Sequence, residues 1–218
     1  MTGSYRGQPV RSGTGTLAGT GTKKEEPFRV VITGGPCAGK TEVWRLLGEA
    51  FPGGVPVPEA ATQLILDGKS EDSLGLEGFQ RAVYERQLAL EEGGREKGLL
   101  LLCDRGLLDG LAYFPNLFAC LGVSQEEGLN RYAVVIQVEV IRDPQAYSLH
   151  FSSNPARHED HTRALALERE LKRIYERHPT YVFLPGTLEE KKREALRFVR
   201  EKWVALRPDL AAVVTDHA

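Results

Sequence analysis

The sequence GGPCAGKT, at residues 34–41, constrains the fold more than any other stretch, since it follows the apolar run FRVVIT (28–33) without a break. Glycine loses more conformational freedom on folding than any other residue. Three glycines within six positions therefore indicate that the backbone approaches something closely there. The pattern G-x-x-x-x-G-K-[ST], typical of a phosphate-binding loop between a strand and a helix, is fitted by Gly34, Gly39, Lys40 and Thr41. A chain with this motif is expected to build an α/β fold around the preceding strand.

The residue types of this loop suit a bound triphosphate. Glycines have no Cβ atom, so successive backbone N–H groups can turn inward as an anion nest. Lys40 would reach the β- and γ-phosphates, Thr41 would ligate Mg²⁺, and the following helix would add its positive N-terminal end. We expect ATP, or GTP, to bind with Mg²⁺ along one continuous run of residues: Gly34, Gly35, Pro36, Cys37, Ala38, Gly39, Lys40, Thr41 and Glu42.

Short apolar runs alternate along the chain with longer segments that have helical spacing. The apolar runs lie at 28–33, 55–58, 99–103, 133–140 and 181–184. The helical segments lie at 40–50, about 74–96, 107–121, 162–177 and 188–206. Runs that are apolar throughout suit strands that are covered on both faces. We therefore expect a P-loop NTPase fold, an α/β three-layer sandwich with a five-stranded, mostly parallel sheet.

The 218 residues are enough for one domain with a buried core. Residues 1–26 are rich in glycine, threonine and serine and have no periodic apolar face, which predicts a disordered tail. Arg6 and Arg11 without an early acid are typical of an organelle transit peptide, but no amphipathic helix accompanies them. We expect the nucleotide-binding domain at residues 27–207 and a C-terminal tail at residues 208–218.

The composition excludes several classes of partner. The formal net charge is −2 and the sequence pI is about 6.2, which predicts neither a nucleic-acid partner nor a polybasic membrane surface. No apolar run approaches the roughly 20 residues of a membrane span. Cys37, Cys103 and Cys120 lack metal-ligand spacing, and so sparse a set is typical of free thiols in a reducing compartment. We expect a cytoplasmic protein, and leave a protein partner open.

The residues after the third apolar run separate the main classes of phosphate-loop protein. A GTP switch needs the guanine-reading string [NT]-K-x-D, which the sequence lacks, and the string D-x-x-G, whereas Asp104 is followed by Arg105, Gly106 and Leu107. A motor ATPase usually places a water-activating glutamate where this chain has Arg105. An arginine cannot act as a base, but it can clamp a phosphate or stabilise transferring charge. The sequence thus lacks a hydrolytic group at the expected place.

Four stretches carry a family resemblance: VVITGGPCAGKT (30–41), VPVPEAA (55–61), LLCDRGLLDGLAY (101–113) and NPARHEDHTRALALERELKRIYERHP (154–179). Together they resemble the NadR-like AAA group of kinase-type phosphate-loop proteins, whose best-known member is a ribosylnicotinamide kinase domain. The resemblance runs from about Arg29 to Pro185 and extends more distantly to deoxynucleoside kinases. Thr62 stands where an arginine is expected, so no particular substrate is carried over to this chain.

The resemblance implies catalytic roles for several residues. In the resembling deoxynucleoside kinases, a glutamate at about the place of Glu59 takes the proton from the substrate hydroxyl. Asp104 would help to hold Mg²⁺ or the acceptor hydroxyl, Arg105 would position the phosphoryl group, and Lys40 would act on the phosphates. Two structural roles stay open: Glu59 as an acid at the start of a helix and Asp104 as a helix N-cap.

The segment 150–163 lies between the fourth apolar run and a helical segment. Kinases of the resembling type close a mobile, arginine-bearing lid over the phosphates at this place. Arg157 and Arg163 fit that catalytic role, because they would supply charge only when substrate is bound. A merely basic loop is the alternative.

Three further residues are candidates for the acceptor site. Gln80 and Gln87 are seven residues apart on one side of a predicted helix, with Tyr84 between them. Paired amides beside an aromatic ring suit an acceptor base or amide, and a solvated helix face is the alternative. Asp109 is the third candidate, with an exposed helical acid as its alternative.

The sequence as a whole predicts a kinase that transfers the γ-phosphoryl group of ATP to a nucleoside-like alcohol. Two other classes stay open. One is a regulatory module whose bound ATP or GTP controls a partner, and the other is a simple NTPase.

Overall fold

The computed structural model describes residues 26–151 and 159–208. The two predicted tails therefore lie outside the described residues, except for Glu26 and Pro208, and so does Arg157 of the predicted lid. No helix in the described part of the chain is long and apolar enough to cross a membrane.

Within the described ranges, five strands form one sheet: β1 Phe28–Thr33, β2 Gly54–Val57, β3 Leu100–Asp104, β4 Val134–Val138 and β5 Tyr181–Leu184. The strand order is β2-β3-β1-β4-β5, and every neighbouring pair is parallel. The sheet is thus wholly parallel, where the sequence predicted a mostly parallel one. All the strand carboxyl ends meet at one edge, with β1 at the centre.

The helices among the described residues are α1 Lys40–Ala50, α2 Ala60–Leu66, α3 Glu71–Arg95, α4 Gly110–Tyr113, α5 Leu117–Leu121, α6 Gln125–Asn130, α7 Pro144–Phe151, α8 His161–Tyr175 and α9 Leu188–Leu206. A 3₁₀ turn at Leu107–Asp109 precedes α4. The bounds of α1 and α9 agree with the prediction. Helix α3 contains a non-helical residue, Gly75, with φ 71°.

Two apolar clusters, one on each face of the sheet, form the core. Alternate residues of a strand point to opposite faces. Val30 and Ile32 of β1 therefore pack in a cluster that also holds Trp203 of α9. Val31 between them packs on the other face with Leu171 of α8. Helices on both faces of one parallel sheet confirm the three-layer α/β sandwich.

The predicted helix at 107–121 is wrong, because the structure has a 3₁₀ turn and two short helices there. Helix α4 ends before Pro115. A proline disfavours helical conformation in the residue before it, and Phe114 has φ −133° and ψ 92°. The break lets the residues after β3 turn across the end of the sheet, beside the phosphate-binding loop.

Candidate active site

The candidate site lies at the carboxyl edge of the sheet, where open parallel α/β sheets bind their ligands. The loop at residues 34–41 follows β1, Glu59 follows β2, and Asp104 ends β3. Because β1 lies next to β3, and β3 lies next to β2, the three segments converge. They bring together residues that are far apart in the sequence.

The backbone of the loop requires its glycines at two positions for different reasons. Gly34 has φ 143°, and a Cβ atom there would lie 2.4 Å from the main-chain oxygen of Val138. Gly39 has φ 90° and immediately precedes α1. Any other residue would strain the chain at these places. The glycines of the motif thus serve the close packing of the loop on β4 as well as its left-handed turns.

Lys40 is buried at the start of α1, and its Nζ donates a hydrogen bond to the main-chain oxygen of Gly35 at 2.9 Å. Burial and the positive charge of Arg105 lower the pKa of Lys40 to about 8, and the carboxylate of Glu59 opposes this. A phosphate anion would bind this ammonium group more strongly than the carbonyl oxygen does, because hydrogen bonds between two charged groups are stronger. Thr41 and Glu42 are exposed on the first turn of α1, and Glu42 pairs with Arg45 at 3.1 Å.

Arg105 is the central cation of the site. Its Nε donates to Oε1 of Glu59 at 2.5 Å, and its Nη1 donates to Oδ2 of Asp109 at 3.2 Å. Nη1 also lies 3.5 Å from the main-chain oxygen of Gly34 in the loop. Burial alone would lower the pKa of Arg105, but Tyr113 and the two carboxylates raise it well above its usual value. A permanent guanidinium charge therefore stands beside the loop.

Glu59 precedes α2 but makes no side-chain capping hydrogen bond to the described backbone. Its Oε2 instead accepts a hydrogen bond from Thr62 Oγ1 at 2.7 Å, while Oε1 faces Arg105. Burial would raise the pKa of Glu59, but the charges of Arg105 and Lys40 outweigh this and lower it to about 2. The carboxylate is ionised throughout the physiological range, with one oxygen facing Arg105 and the other facing the hydroxyl of Thr62 on α2.

Asp104 ends β3 with only 5% of its surface exposed. Its Oδ1 finds no hydrogen-bond partner among the described residues. Burial and the charge of Glu59 raise the pKa of Asp104 to about 6. The N-cap of the following 3₁₀ turn is Gly106, so Asp104 does not take the capping role. A buried carboxylate oxygen without a partner is costly and suits a cation that arrives with a ligand.

The residues present fit a Mg²⁺ ion that is bound together with a nucleotide. In the part of the chain that the structure describes, no group of three or more His, Cys, Asp or Glu side chains is arranged to hold a metal ion. Mg²⁺ typically takes only one or two protein ligands and completes its shell with water and phosphate oxygens. The unpartnered oxygen of Asp104 and the hydroxyl of Thr41 are suitable protein ligands.

Replacing Asp104 with Asn is expected to stabilise the metal-free, nucleotide-free protein at pH 8. The pKa of Asp104 is about 6 in the folded protein against an ordinary 3.8, so the folded state holds the proton more tightly. This stabilising effect is complete below pH 4 and is lost as the pH rises through 6. Removing the buried charge should therefore raise the free energy of unfolding by on the order of 2–3 kcal/mol at pH 8 and leave it almost unchanged below pH 4.

Thermal unfolding in the presence of a chelator at the two pH values measures this difference. The exposed Asp72 on α3, changed to Asn, is the matched control for the loss of a carboxylate. Equal melting temperatures of wild-type protein and Asp104→Asn at pH 8 would contradict the buried, uncompensated charge.

Asp109 is 4% exposed, so the alternative of an exposed helical acid is wrong. Its Oδ1 accepts hydrogen bonds from Tyr175 Oη at 2.8 Å and from the backbone N–H of Gly106 at 3.3 Å. Its Oδ2 accepts from Thr33 Oγ1 at 2.7 Å as well as from Arg105. Both oxygens of the carboxylate are therefore hydrogen-bonded to protein groups on β1, on α8 and beside β3.

A pocket that is open to solvent lies beside Arg105. It is lined by Ala60, Ala61, Gln80, Val83, Tyr84, Gln87, Arg105, Gly106, Leu107, Asp109, Gly110 and Leu117. Gln80 and Gln87 are buried, so a solvated helix face is the wrong description of this side of α3. The pocket brings the three predicted acceptor-site residues to the same cavity as the guanidinium.

The amide of Gln87 is oriented by protein groups. Its Nε2 donates to Oε1 of Glu91 and to the main-chain oxygen of Arg105, both at 3.1 Å. Its Oε1 is buried and has no hydrogen-bond partner among residues 26–151 and 159–208. The nitrogen of Gln87 thus supports the backbone of Arg105.

Of the predicted lid at 150–163, the structure describes His150 and Phe151 at the end of α7 and the last five residues, 159–163. Arg163 lies exposed on the first turn of α8, and its backbone N–H donates to Oδ1 of the N-cap residue Asp160 at 2.7 Å. Arg157 lies outside the described residues. The lid therefore stays a prediction.

Sequence analysis did not identify Thr33 and Tyr175 as site residues. Tyr175 belongs to the apolar stripe of α8, and Thr33 is the last residue of a buried strand. The available signal was the hydroxyl group that each of them carries, since a buried tyrosine hydroxyl usually requires a hydrogen-bond partner. In the structure both hydroxyls donate to Asp109.

A glycine-rich turn from a central parallel strand into a helix that begins at a buried lysine places the chain in the P-loop class of nucleotide-binding proteins. A family model described as an AAA domain matches residues 29–191, which is most of the chain. The chain therefore belongs to that AAA domain family.

Solved structures that are similar to this chain include the following two. A thymidylate kinase from Ehrlichia chaffeensis has 12% sequence identity and a TM-score of 0.49, and the match covers 81% of this chain and 100% of that one. A fungal RNA kinase has 16% identity and a TM-score of 0.37, over 85% of this chain and 88% of that one. No curated protein matches the sequence.

Proposed function

We propose that the chain is a phosphotransferase that moves the γ-phosphoryl group of ATP to an alcohol of a nucleoside-like acceptor. One observation carries the proposal: the guanidinium of Arg105 stands between the phosphate-binding loop and the pocket. It reaches Gly34 of the loop, pairs with Glu59, and lines the cavity. A fixed cation between two ligand sites suits a group that passes from one site to the other.

The loop and Lys40 would hold the triphosphate. Backbone N–H groups of the loop and the positive end of α1 favour anions, and Lys40 would exchange the oxygen of Gly35 for the β- and γ-phosphates. Mg²⁺, held by Thr41 and Asp104 and by the nucleotide, would neutralise phosphate charge. A phosphate anion would also raise the pKa of Lys40, which burial lowers to about 8.

In the transfer step, the alcohol oxygen would form a bond to the γ-phosphorus while the bond from that phosphorus to the β,γ-bridging oxygen breaks. The electron pair stays on that oxygen of ADP, and the alcohol proton passes to Glu59 and then to water. Negative charge on the transferring oxygens would be stabilised by Arg105. Since such transition states are loose, the proton leaves late. A carboxylate with a pKa of about 2 can therefore orient the alcohol and accept its proton only as the new bond completes.

The pocket supports a flat acceptor with a polar edge. Its walls include the aromatic ring of Tyr84 and apolar side chains such as Leu107 and Leu117. The amide of Gln80 and the carbonyl oxygen of Gln87 supply hydrogen-bonding groups. A ring that carries both a donor and an acceptor, such as a nucleobase or a carboxamide-bearing ring, matches this lining.

Replacing Arg163 with Ala is expected to lower kcat more than it raises the KM for ATP, because a lid charge acts on the closed complex. Steady-state kinetics measures the two constants separately. Arg173→Ala is the matched control, since Arg173 is exposed on the same helix and pairs with Glu170 at 2.7 Å. Wild-type turnover in Arg163→Ala would show that this arginine has no part in a lid.

An acceptor screen tests the proposed function. Nucleosides, including nicotinamide riboside, are mixed with ATP and Mg²⁺, and release of ADP is followed with and without each acceptor. The proposal predicts release that depends on the acceptor. Phosphate release without any acceptor would show an NTPase. Tight nucleotide binding without turnover across the whole panel would favour the regulatory module.

A further inference from the structure

The backbone of Arg105 has an unusual conformation that is held from both sides. Its φ is 81°, a left-handed value that costs energy for a residue with a Cβ atom. Its N–H donates to the main-chain oxygen of Ile32 at 3.0 Å, and its carbonyl oxygen accepts from Gln87 Nε2 at 3.1 Å. Backbone strain held by flanking hydrogen bonds is typical of functional positions.

Arg105 is paired with two carboxylates that differ in their surroundings. Glu59 has 28% of its side chain exposed and one further partner, Thr62. Asp109 is buried and accepts hydrogen bonds from Tyr175, from Thr33 and from the N–H of Gly106. Glu59 can therefore turn toward a ligand, whereas Asp109 is fixed by donors on three different segments.

Gly106 is part of the same arrangement. A Cβ atom at this position would lie 2.6 Å from the hydroxyl oxygen of Tyr175. The glycine after Arg105 thus gives Tyr175 the room to reach Asp109. Tyr175 is completely buried on α8 and contacts Asp109, the residue that pairs with the guanidinium of Arg105.

We propose that Asp109 and Tyr175 are positioning residues that keep the guanidinium of Arg105 between the loop and the pocket while Glu59 is engaged with the acceptor. The proposal rests on the proposed function, because it assigns the two carboxylate partners of Arg105 different tasks. Glu59 is the exchangeable partner that meets the alcohol. Asp109 is the permanent partner, and the hydroxyl of Tyr175 prevents its carboxylate from rotating away.

Tyr175→Phe tests the proposal, since it removes one hydroxyl and keeps the ring in the core. The first readout is the Nη1–H signal of Arg105 in ¹⁵N NMR, because Nη1 is the atom that donates to Asp109; the signal is assigned by its loss in Arg105→Lys. We expect faster exchange of this proton with water in Tyr175→Phe. Tyr181→Phe is the matched control, because it removes a hydroxyl that donates to Gln137 on β4 and not to Asp109.

The second readout is nucleotide affinity. If the positioned guanidinium contacts the γ-phosphoryl group, Tyr175→Phe should weaken binding of the β,γ-imido analogue of ATP about three- to tenfold, as expected for a weakened charge-assisted hydrogen bond. The affinity for ADP should change by less than about twofold, because ADP lacks that phosphoryl group. Tyr181→Phe should bind both nucleotides as the wild-type protein does.

The two readouts separate the positioning claim from the proposed function. An unchanged Arg105 signal in Tyr175→Phe overturns the positioning claim, whatever the nucleotide affinities. A faster-exchanging signal supports the positioning role of Asp109 and Tyr175. If the affinity for both nucleotides then falls equally, or does not fall, contact of Arg105 with the γ-phosphoryl group is contradicted. If Tyr175→Phe fails to fold, Thr33→Val removes the hydroxyl donor to the other oxygen of Asp109, and the same outcomes apply.

Discussion

Replacing Lys40 with Met is expected to weaken binding of a nucleoside triphosphate by about 10- to 100-fold while the protein stays folded. Hydrogen bonds to charged groups typically contribute about 1.5–3 kcal/mol, which corresponds to this range of affinity. Methionine keeps the apolar stem of the buried side chain and loses only the ammonium group. Calorimetric titration with the β,γ-imido analogue of ATP and Mg²⁺ measures the loss.

Lys191→Met is the matched control for this substitution. Lys191 is also a buried lysine whose Nζ donates to a main-chain oxygen, that of Glu139 at 2.8 Å, but it lies on α9 outside the loop. We expect its triphosphate affinity to stay near that of the wild-type protein. Unchanged affinity in Lys40→Met would mean that the loop does not bind phosphates.

Replacing Glu59 with Gln is expected to reduce acceptor-dependent phosphoryl transfer by at least about 100-fold, because a positioned general base typically contributes 10²–10⁴-fold. Glutamine keeps the shape and the hydrogen-bonding reach of the side chain but cannot take a proton. Affinity for the triphosphate should persist, since the loop and Mg²⁺ would hold it. Hydrolysis without an acceptor should change little, because it requires no oriented alcohol. Rates of ADP release with and without acceptor measure both reactions.

The same variant should also be less stable than the wild-type protein at neutral pH. The pKa of Glu59 is lowered from 4.5 to about 2 by Arg105 and Lys40 against the effect of burial. The stabilisation from its charge is therefore present above pH 4.5 and is lost as the pH falls through 2. Glu170→Gln, at an exposed ion pair on α8, controls for the loss of a surface charge.

Three outcomes for Glu59→Gln lead to different conclusions. Loss of acceptor-dependent transfer with little change in acceptor-free hydrolysis supports the base, and the expected lower melting temperature is compatible with it. A lower melting temperature with normal transfer would make Glu59 a structural partner of Arg105 only. Collapse of acceptor-free hydrolysis would show that Glu59 activates water and that the protein is an NTPase.

Local patterns were sufficient to predict the centre of the fold. The strand β1, the glycine-rich loop and α1 are contiguous in the sequence, so their residue types alone fix their bounds. The position of Asp104 at the end of a buried strand likewise placed it at the ligand-binding edge of a parallel sheet. These predictions depend on neighbours along the chain and on no distant contact.

Predictions that depended on tertiary contacts succeeded less well. The environment of Asp109 is made by Thr33, 76 residues earlier, and by Tyr175, 66 residues later. A helical period at 107–121 could not reveal that the chain turns across the sheet edge before Pro115. The burial of Gln80 and Gln87 similarly follows from the segment after β3 packing on α3, which no periodicity on α3 itself indicates.

The central claim is that the γ-phosphoryl group passes to an organic alcohol bound beside Arg105. The most direct test uses ATP labelled with ¹⁸O in its γ-phosphoryl group, the acceptor panel and mass spectrometry of all phosphorylated products. The account predicts that the label appears in an organic phosphate with the wild-type protein, and far more slowly with Glu59→Gln. Label found only in inorganic phosphate, at a rate that no acceptor changes, would contradict it.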